Sequence, residues 1–96
     1  DDTSYRAIPN SIATEELRAT HFAYDLTDAR KDINVVFPIE ALKSMVEEKK
    51  IAELGPNSYT LMGGIYSTRR VIEDLIPSLV QRVLDDELDV VLLVPV

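Results

Sequence analysis

The spacing of apolar residues changes several times along the chain, and each change predicts an element. Thr3 to Ile8 alternates loosely and runs into Pro9-Asn10-Ser11, a turn-forming cluster, so a short extended edge segment is expected there. Thr14 is placed to cap one brief helical turn, and Arg18 to Phe22 suits an extended stretch. From Asp25 to Asp32 the residues are polar and without period, which predicts an exposed loop. Ile33 to Phe37 is short and apolar, reads as a strand, and ends at Pro38.

A helical period follows. Ile39, Leu42, Met45, Val46 and Ile51 recur at three-to-four spacing, with Glu40, Lys43 and the Glu47 to Lys50 run on the other side. Pro38 suits the first turn of such a helix, because its missing N–H would be unpaired there anyway. Glu40 and Lys43 are spaced to pair across that turn. Gly55-Pro56-Asn57 breaks the chain, and Ser58 to Met62 reads as a second strand. After Gly63-Gly64, Ser67 or Thr68 is a capping candidate for a long helix whose apolar stripe runs from Val71 to Leu84. Pro77 lies inside that stripe and predicts a kink or split. Leu88 to Val96 is a continuous, β-branched apolar run, the pattern of a strand covered on both faces. The order strand, helix, strand, helix, strand predicts βαβ units. The expected fold is therefore α/β, a small three-layer-like parallel sheet with flanking helices, spanning residues 1–96 as one fragment of a larger domain.

Charge and composition narrow the function. The 96 residues support one domain at most. A net charge of -7 repels a nucleic-acid backbone, and the basic pairs Arg30-Lys31, Lys49-Lys50 and Arg69-Arg70 are short and flanked by acids. No nucleic-acid partner is expected. No stretch approaches the roughly 20 apolar residues of a membrane span, and the start is too polar for a signal peptide, so no membrane partner and a cytoplasmic location are expected. With no Cys and one His, neither a thiolate nor a His-based zinc site can be built. Asp25, Asp28 and Asp32 lack the spacing, glycine and terminal Glu of a calcium loop, and no metal is expected.

Two clusters carry candidate chemistry. Thr20-His21 with Tyr24-Asp25 places an imidazole, a phenol and a carboxylate in one short loop, a set that either positions a substrate and moves protons or serves as ordinary structural hydrogen bonding. Gly63-Gly64 lies between a strand and a helix, either as a tight turn with close backbone approach or as an anion cradle. Tyr59, Met62 and Tyr66 read locally as packing. In parallel sheets chemistry collects past the carboxyl ends of the strands. No complete catalytic set lies within the chain, so the reactive group is expected just beyond Val96.

Several segments together resemble selenoprotein B of the glycine, sarcosine, betaine and D-proline reductases. They are Asp2-Thr3-Ser4-Tyr5-Arg6 with Ile8-Pro9, Thr20-His21 with Tyr24-Asp25, and Asp28-Ala29 with Asp32 to Ile39. Ser58-Tyr59, Met62-Gly63 and the closing helix with Asp89 to Leu93 complete the set. The resemblance implies an oxidoreductase subunit of anaerobic amino-acid fermentation that reductively cleaves a carbon–nitrogen bond of a small amino acid or amine. It also implies partnership with other reductase subunits. The implied reactive residue is a selenocysteine, or a Cys in some relatives, immediately after the strand matching Asp89 to Val96, with a nearby Cys completing a redox pair. A selenolate or thiolate between a strand end and a helix N-terminus is stabilised as the anion. On this resemblance His21, Tyr24, Asp25, Met62 and Gly63 are expected to line the substrate site.

The chain is then expected to be the N-terminal part of a larger reductase subunit, inactive alone. Selenocysteine is encoded by UGA, ordinarily a stop codon, so undecoded UGA would end a polypeptide after Val96. The Leu93-Val94-Pro95-Val96 ending differs from the glycine- or threonine-rich ending of the proline and glycine branches and leaves the substrate open. The alternative is a non-catalytic α/β binding or assembly module that docks on a partner subunit. Uncovered apolar surface at Leu88 to Val96 predicts a homo-oligomer.

Overall fold

The computed structural model describes residues 2–96, which divide into two compact units. The first holds residues up to Asn10 and from Gly55 to Val91; the second holds Ser11–Leu54 and Leu92–Val96.

In the first unit β1 (Tyr5–Pro9) pairs antiparallel with β2 (Asn57–Leu61), Tyr5 opposite Leu61 and Pro9 opposite Asn57. That register puts Tyr5, Ala7, Tyr59 and Leu61 on one face. The Tyr5 and Tyr59 rings, diagonal neighbours across the pair, meet edge to face at 5.7 Å and 81°. Asn10 fixes the far end of the ladder. Its backbone N–H donates to Pro56 O (2.9 Å), its Nδ2 donates to Gly55 O (2.7 Å), and its Oδ1 accepts from Ser58 Oγ (2.5 Å). Leu88 packs close against Gly55, where a Cβ would lie 2.6 Å from Leu88 Cδ2 and would require that side chain to turn away.

The long helix begins as α3 (Thr68–Arg70), passes through a π-helical turn (Val71–Leu75) and continues as α4 (Ile76–Asp85). Ser67 caps it, its Oγ accepting from the Arg70 N–H at 3.3 Å, so the expected cap is the serine. The expected break at Pro77 takes the form of a π-helical turn. Pro77 has no N–H for the turn before it, the turn widens so that the Ile76 N–H reaches Val71 O, and Ser78 Oγ donates to the Asp74 and Leu75 carbonyls at 3.0 Å each. Leu75 is the buried residue of this helix, while Ile72, Ile76, Val80 and Leu84 form an exposed stripe at four-residue spacing.

The second unit packs a 3-10 turn (Thr14–Glu16), α1 (Thr27–Lys31), a second 3-10 turn (Ile33–Val35) and α2 (Ile39–Glu47). Its core is Leu26, Ala29 and Ile39. The brief turn at Thr14 forms as expected, but the Thr14 hydroxyl donates to Glu40 Oε1 (2.8 Å) instead of capping. Asn34 starts α2. Its Oδ1 accepts from the Glu40 N–H (2.9 Å), and its Nδ2 donates to Glu40 Oε2 (3.2 Å) and Asp32 Oδ1 (3.1 Å). Among the described residues Glu40 makes no ion pair with Lys43; its carboxylate is taken by Thr14 and Asn34.

The expected parallel sheet is not formed. The sheet is a two-stranded antiparallel pair in a small mixed α/β fold, and Leu88 to Val96 joins no ladder. Its apolar run has the composition of a buried strand, but a strand also needs a hydrogen-bonding neighbour, and among the described residues none pairs with it. Val90 and Leu93 are consequently 84% and 82% exposed. Ile33 to Val35 is a 3-10 turn rather than a strand because Asp32 accepts the Asn34 N–H (3.0 Å) and curls the chain. The loop expected over Asp25 to Asp32 contains α1, started by Asp25, whose Oδ1 accepts from Thr27 N (2.9 Å) and Oγ1 (2.5 Å). Leu26 and Ala29, three apart, supply its buried side. Arg18 to Phe22 also pairs with no strand. No described helix is long and apolar enough to cross a membrane.

Candidate functional site

The predicted site residues fall in both units. His21, Tyr24 and Asp25 belong to the second, and Met62 and Gly63 to the first. His21 and Tyr24 are brought together, with ring centroids 4.8 Å apart at 29°, and the His21 ring also stacks on Phe22 at 5.2 Å and 5°. Phe22 itself is 97% exposed, so this aromatic stack stands on the surface. The Ala23 N–H donates to His21 Nδ1 at 3.0 Å, which fixes the ring and leaves Nε2 to meet a ligand. Asp25 is not joined to this stack by a hydrogen bond. Its carboxylate serves the first turn of α1, and the Thr27 hydroxyl and N–H hold it below the ordinary aspartate range. It therefore stays anionic near neutral pH, suited to holding a cationic group rather than to trading protons.

Met62 is half-buried directly after β2, and Gly63 and Gly64 are exposed. Gly64 has φ +63, the left-handed conformation that glycine adopts without strain, and a Cβ on either glycine would meet nothing within 4 Å. The pair makes the turn between β2 and the long helix.

A separate groove of about 600 Å³ lies wholly within the second unit, between the Thr14–Glu16 turn with the residues after it, α1, the second 3-10 turn and the start of α2. Leu17, Ala19, Ala29 and Ile33 give it apolar walls. Its charged lining is balanced, with Arg18, Arg30 and Lys31 against Glu15, Asp32 and Glu40. None of the five expected site residues lines it, although Thr20, next to His21, does. The sequence reading missed it because its members are scattered from Thr14 to Glu40. The one local signal was Asp32-x-Asn34 ahead of a proline, an Asx pattern that organises a turn.

The sequence profile of the glycine/sarcosine/betaine reductase selenoprotein B family matches residues 5–95. The chain belongs to this family of reductase selenoprotein components. It is 32% identical over 92 residues to the D-proline reductase subunit gamma of Acetoanaerobium sticklandii, an alignment covering 96% of this chain and 38% of that relative. The chain thus spans well under half of that protein's length. No solved structure matches.

Proposed function

We propose that this chain is part of a selenoprotein reductase component that reductively cleaves a carbon–nitrogen bond of a small amino acid or amine. The observation that carries the reading is the family match over residues 5–95, supported by the similarity to a D-proline reductase subunit. Such cleavage replaces the C–N bond with C–H and N–H bonds and consumes two electrons. The chain has no Cys, so the electrons come from a selenol or thiol carried outside these 96 residues, and the chain alone is inactive. His21, Tyr24, Asp25, Met62 and Gly63 are the residues proposed to face the substrate, and the other reductase subunits are its proposed partners.

The test is to read the gene in frame beyond the Val96 codon, produce the extended protein with selenocysteine inserted at any UGA, and assay it with its neighbouring subunits and a dithiol reductant. Consumption of glycine, sarcosine, betaine or D-proline, with the deaminated or ring-opened product, is the expected result. A frame closed by clustered stops would remove the reductase reading.

The exposed stripe Ile72, Ile76, Val80 and Leu84 favours a second role beside the first, docking on another chain. Sedimentation of the chain alone tests whether that other chain can be a second copy.

A further inference from the structure

We infer that the exposed stripe of the long helix is a self-docking surface, on which a second copy of this chain lays the same helix antiparallel across a two-fold axis near Ser78. The inference rests on the docking role proposed above and adds to it the occupant, the orientation and the register.

The stripe and the charges at its ends share one symmetry. Ile72, Ile76, Val80 and Leu84 are all exposed and recur at every fourth residue, the kind of row that forms a packing ridge between helices. In a two-fold contact, if one residue meets a second, the second meets the first, so the surface must be complementary to itself. About Ser78 the sequence meets that condition: Ile76 and Val80 are equally distant from it, as are Ile72 and Leu84, and Arg69 and Glu87. Antiparallel docking sets apolar against apolar along the row and brings Arg69 of each copy beside Glu87 of the other. Parallel docking on the same row would set Arg69 against Arg69 and Glu87 against Glu87, a juxtaposition of like charges.

The ends of the helix point to the same orientation. A helix favours acids at its positive N-terminal pole and bases at its negative C-terminal pole. This helix is charged the other way. Arg69 and Arg70 stand in a first turn that holds no acid, and Asp85, Asp86 and Glu87 close the far end. The one base in the last turn is Arg82, whose guanidinium lies 6.0 Å from the centre of the Tyr59 ring. An antiparallel copy brings the acid end of one helix to the arginine end of the other and offsets the mismatch at both. Arg70 is engaged by Asp74 and Thr3, and Asp86 by Tyr59, so these two supply field rather than contacts. Arg69 is paired with Glu73 one turn on (2.9 Å), an exposed pair of the weak kind that exchanges partners readily. The Glu87 carboxylate makes no hydrogen bond or ion pair among the described residues, and it is carried on a left-handed backbone (φ 55).

The test is sedimentation of the 96-residue chain at micromolar concentration, with helical circular dichroism recorded for every variant. A dimer is expected. Arg69→Glu and Glu87→Arg should each weaken it about fivefold, since each change sets like charges together at both ends of the contact. The double variant, and an equimolar mixture of the two single variants, should restore the wild-type affinity, because every acid again meets a base across the axis. Damage to the fold would not be repaired in this way. A monomeric wild-type chain, or losses in the single variants that neither the double variant nor the mixture restores, would overturn the inference. Association abolished by Val80→Asp but unmoved by the charge variants would overturn it too, while leaving the stripe as a docking surface in another orientation. Association that survives Val80→Asp would remove the docking role as well. A dimer of the 96-residue chain that is lost in the extended protein would give the stripe to the rest of the subunit and overturn a second copy as its occupant.

Discussion

Two residues carry a backbone conformation that their side chains disfavour. Lys49 (φ 61) and Glu87 (φ 55) each sit just past the C-cap of a helix, where the chain turns left-handed. At Lys49 the closure is complete: its N–H donates to Val46 O (3.0 Å), and the Lys50 N–H donates to Met45 O (2.9 Å). Glycine is the residue this geometry prefers, so Lys49→Gly should stabilise the protein by about 0.5–1 kcal/mol in urea titration, and Glu87→Gly by a similar amount. Tyr59 makes the opposite kind of statement. Burial, reinforced by its hydrogen bond to Asp86, raises its pKa above the ordinary tyrosine value of 10.0. The neutral phenol is favoured in the folded state, so its contribution is fully present below pH 10.0 and is lost as the pH rises through the folded value. Tyr59→Phe should flatten the alkaline limb of a stability-versus-pH curve above pH 10. At the acid end Asp2, held at about 2 by Ser4 and Arg6, contributes above 3.8 and loses that contribution as the pH falls toward 2.

At the scale of elements, α2 depends on a residue outside it. Pro38 offers no side-chain cap, and Asn34, from the preceding 3-10 turn, accepts the Glu40 N–H in its place. Asn34→Ala should cost about 1 kcal/mol, the usual loss of a cap, with the first turn of α2 exchanging its amides faster while α4 is unchanged. The sequence made the two longer helices legible because their apolar periods extend over several turns. Ser67 was legible as a cap, and the Ser58 to Met62 strand lies within one residue of β2. What could not be read was pairing. A run such as Leu88 to Val96 states a need for burial, not which neighbour meets it, and β1 to β2 pairing joins residues whose separation leaves no local mark. The groove was hidden for the same reason, its charges coming from three segments, Glu15 and Arg18, Arg30 to Asp32, and Glu40, while His21 and Tyr24 were legible as a cluster because they are neighbours in sequence.

Across the whole molecule, very little side-chain surface is sealed. Leu26, Ala29, Ile39 and Leu75 are the buried apolar residues, whereas Ile72, Ile76, Val80, Leu84 and the residues after Leu88 are open to solvent. A helix with apolar side chains on two sides needs a second layer, and exposed apolar surface of this kind drives association. The chain should therefore sediment as a dimer or larger species at micromolar concentration. A Val80→Asp, Leu84→Asp double variant should shift it toward monomer without loss of helical circular dichroism. A monomeric wild-type mass at those concentrations would show that the stripe does not bind a second copy.

The clamp at Asn10 has a kinetic meaning. Asn10 and Gly55 are hydrogen-bonded although 45 positions apart, so β1 and β2 can meet only after the intervening chain has been drawn into a closed loop. Closing a flexible loop of that length costs about 3 kcal/mol of chain entropy, which the ladder begins to offset only once it is formed. The short helices and turns between Ser11 and Leu54 need no such closure and can order first, shortening the search. The strand pair is thus the late event of folding, and the amides of Ser58 and Thr60, which face β1 in the alternation set by the Asn10 to Pro56 bond, should gain protection after those of α2 in pulse-labelled hydrogen exchange.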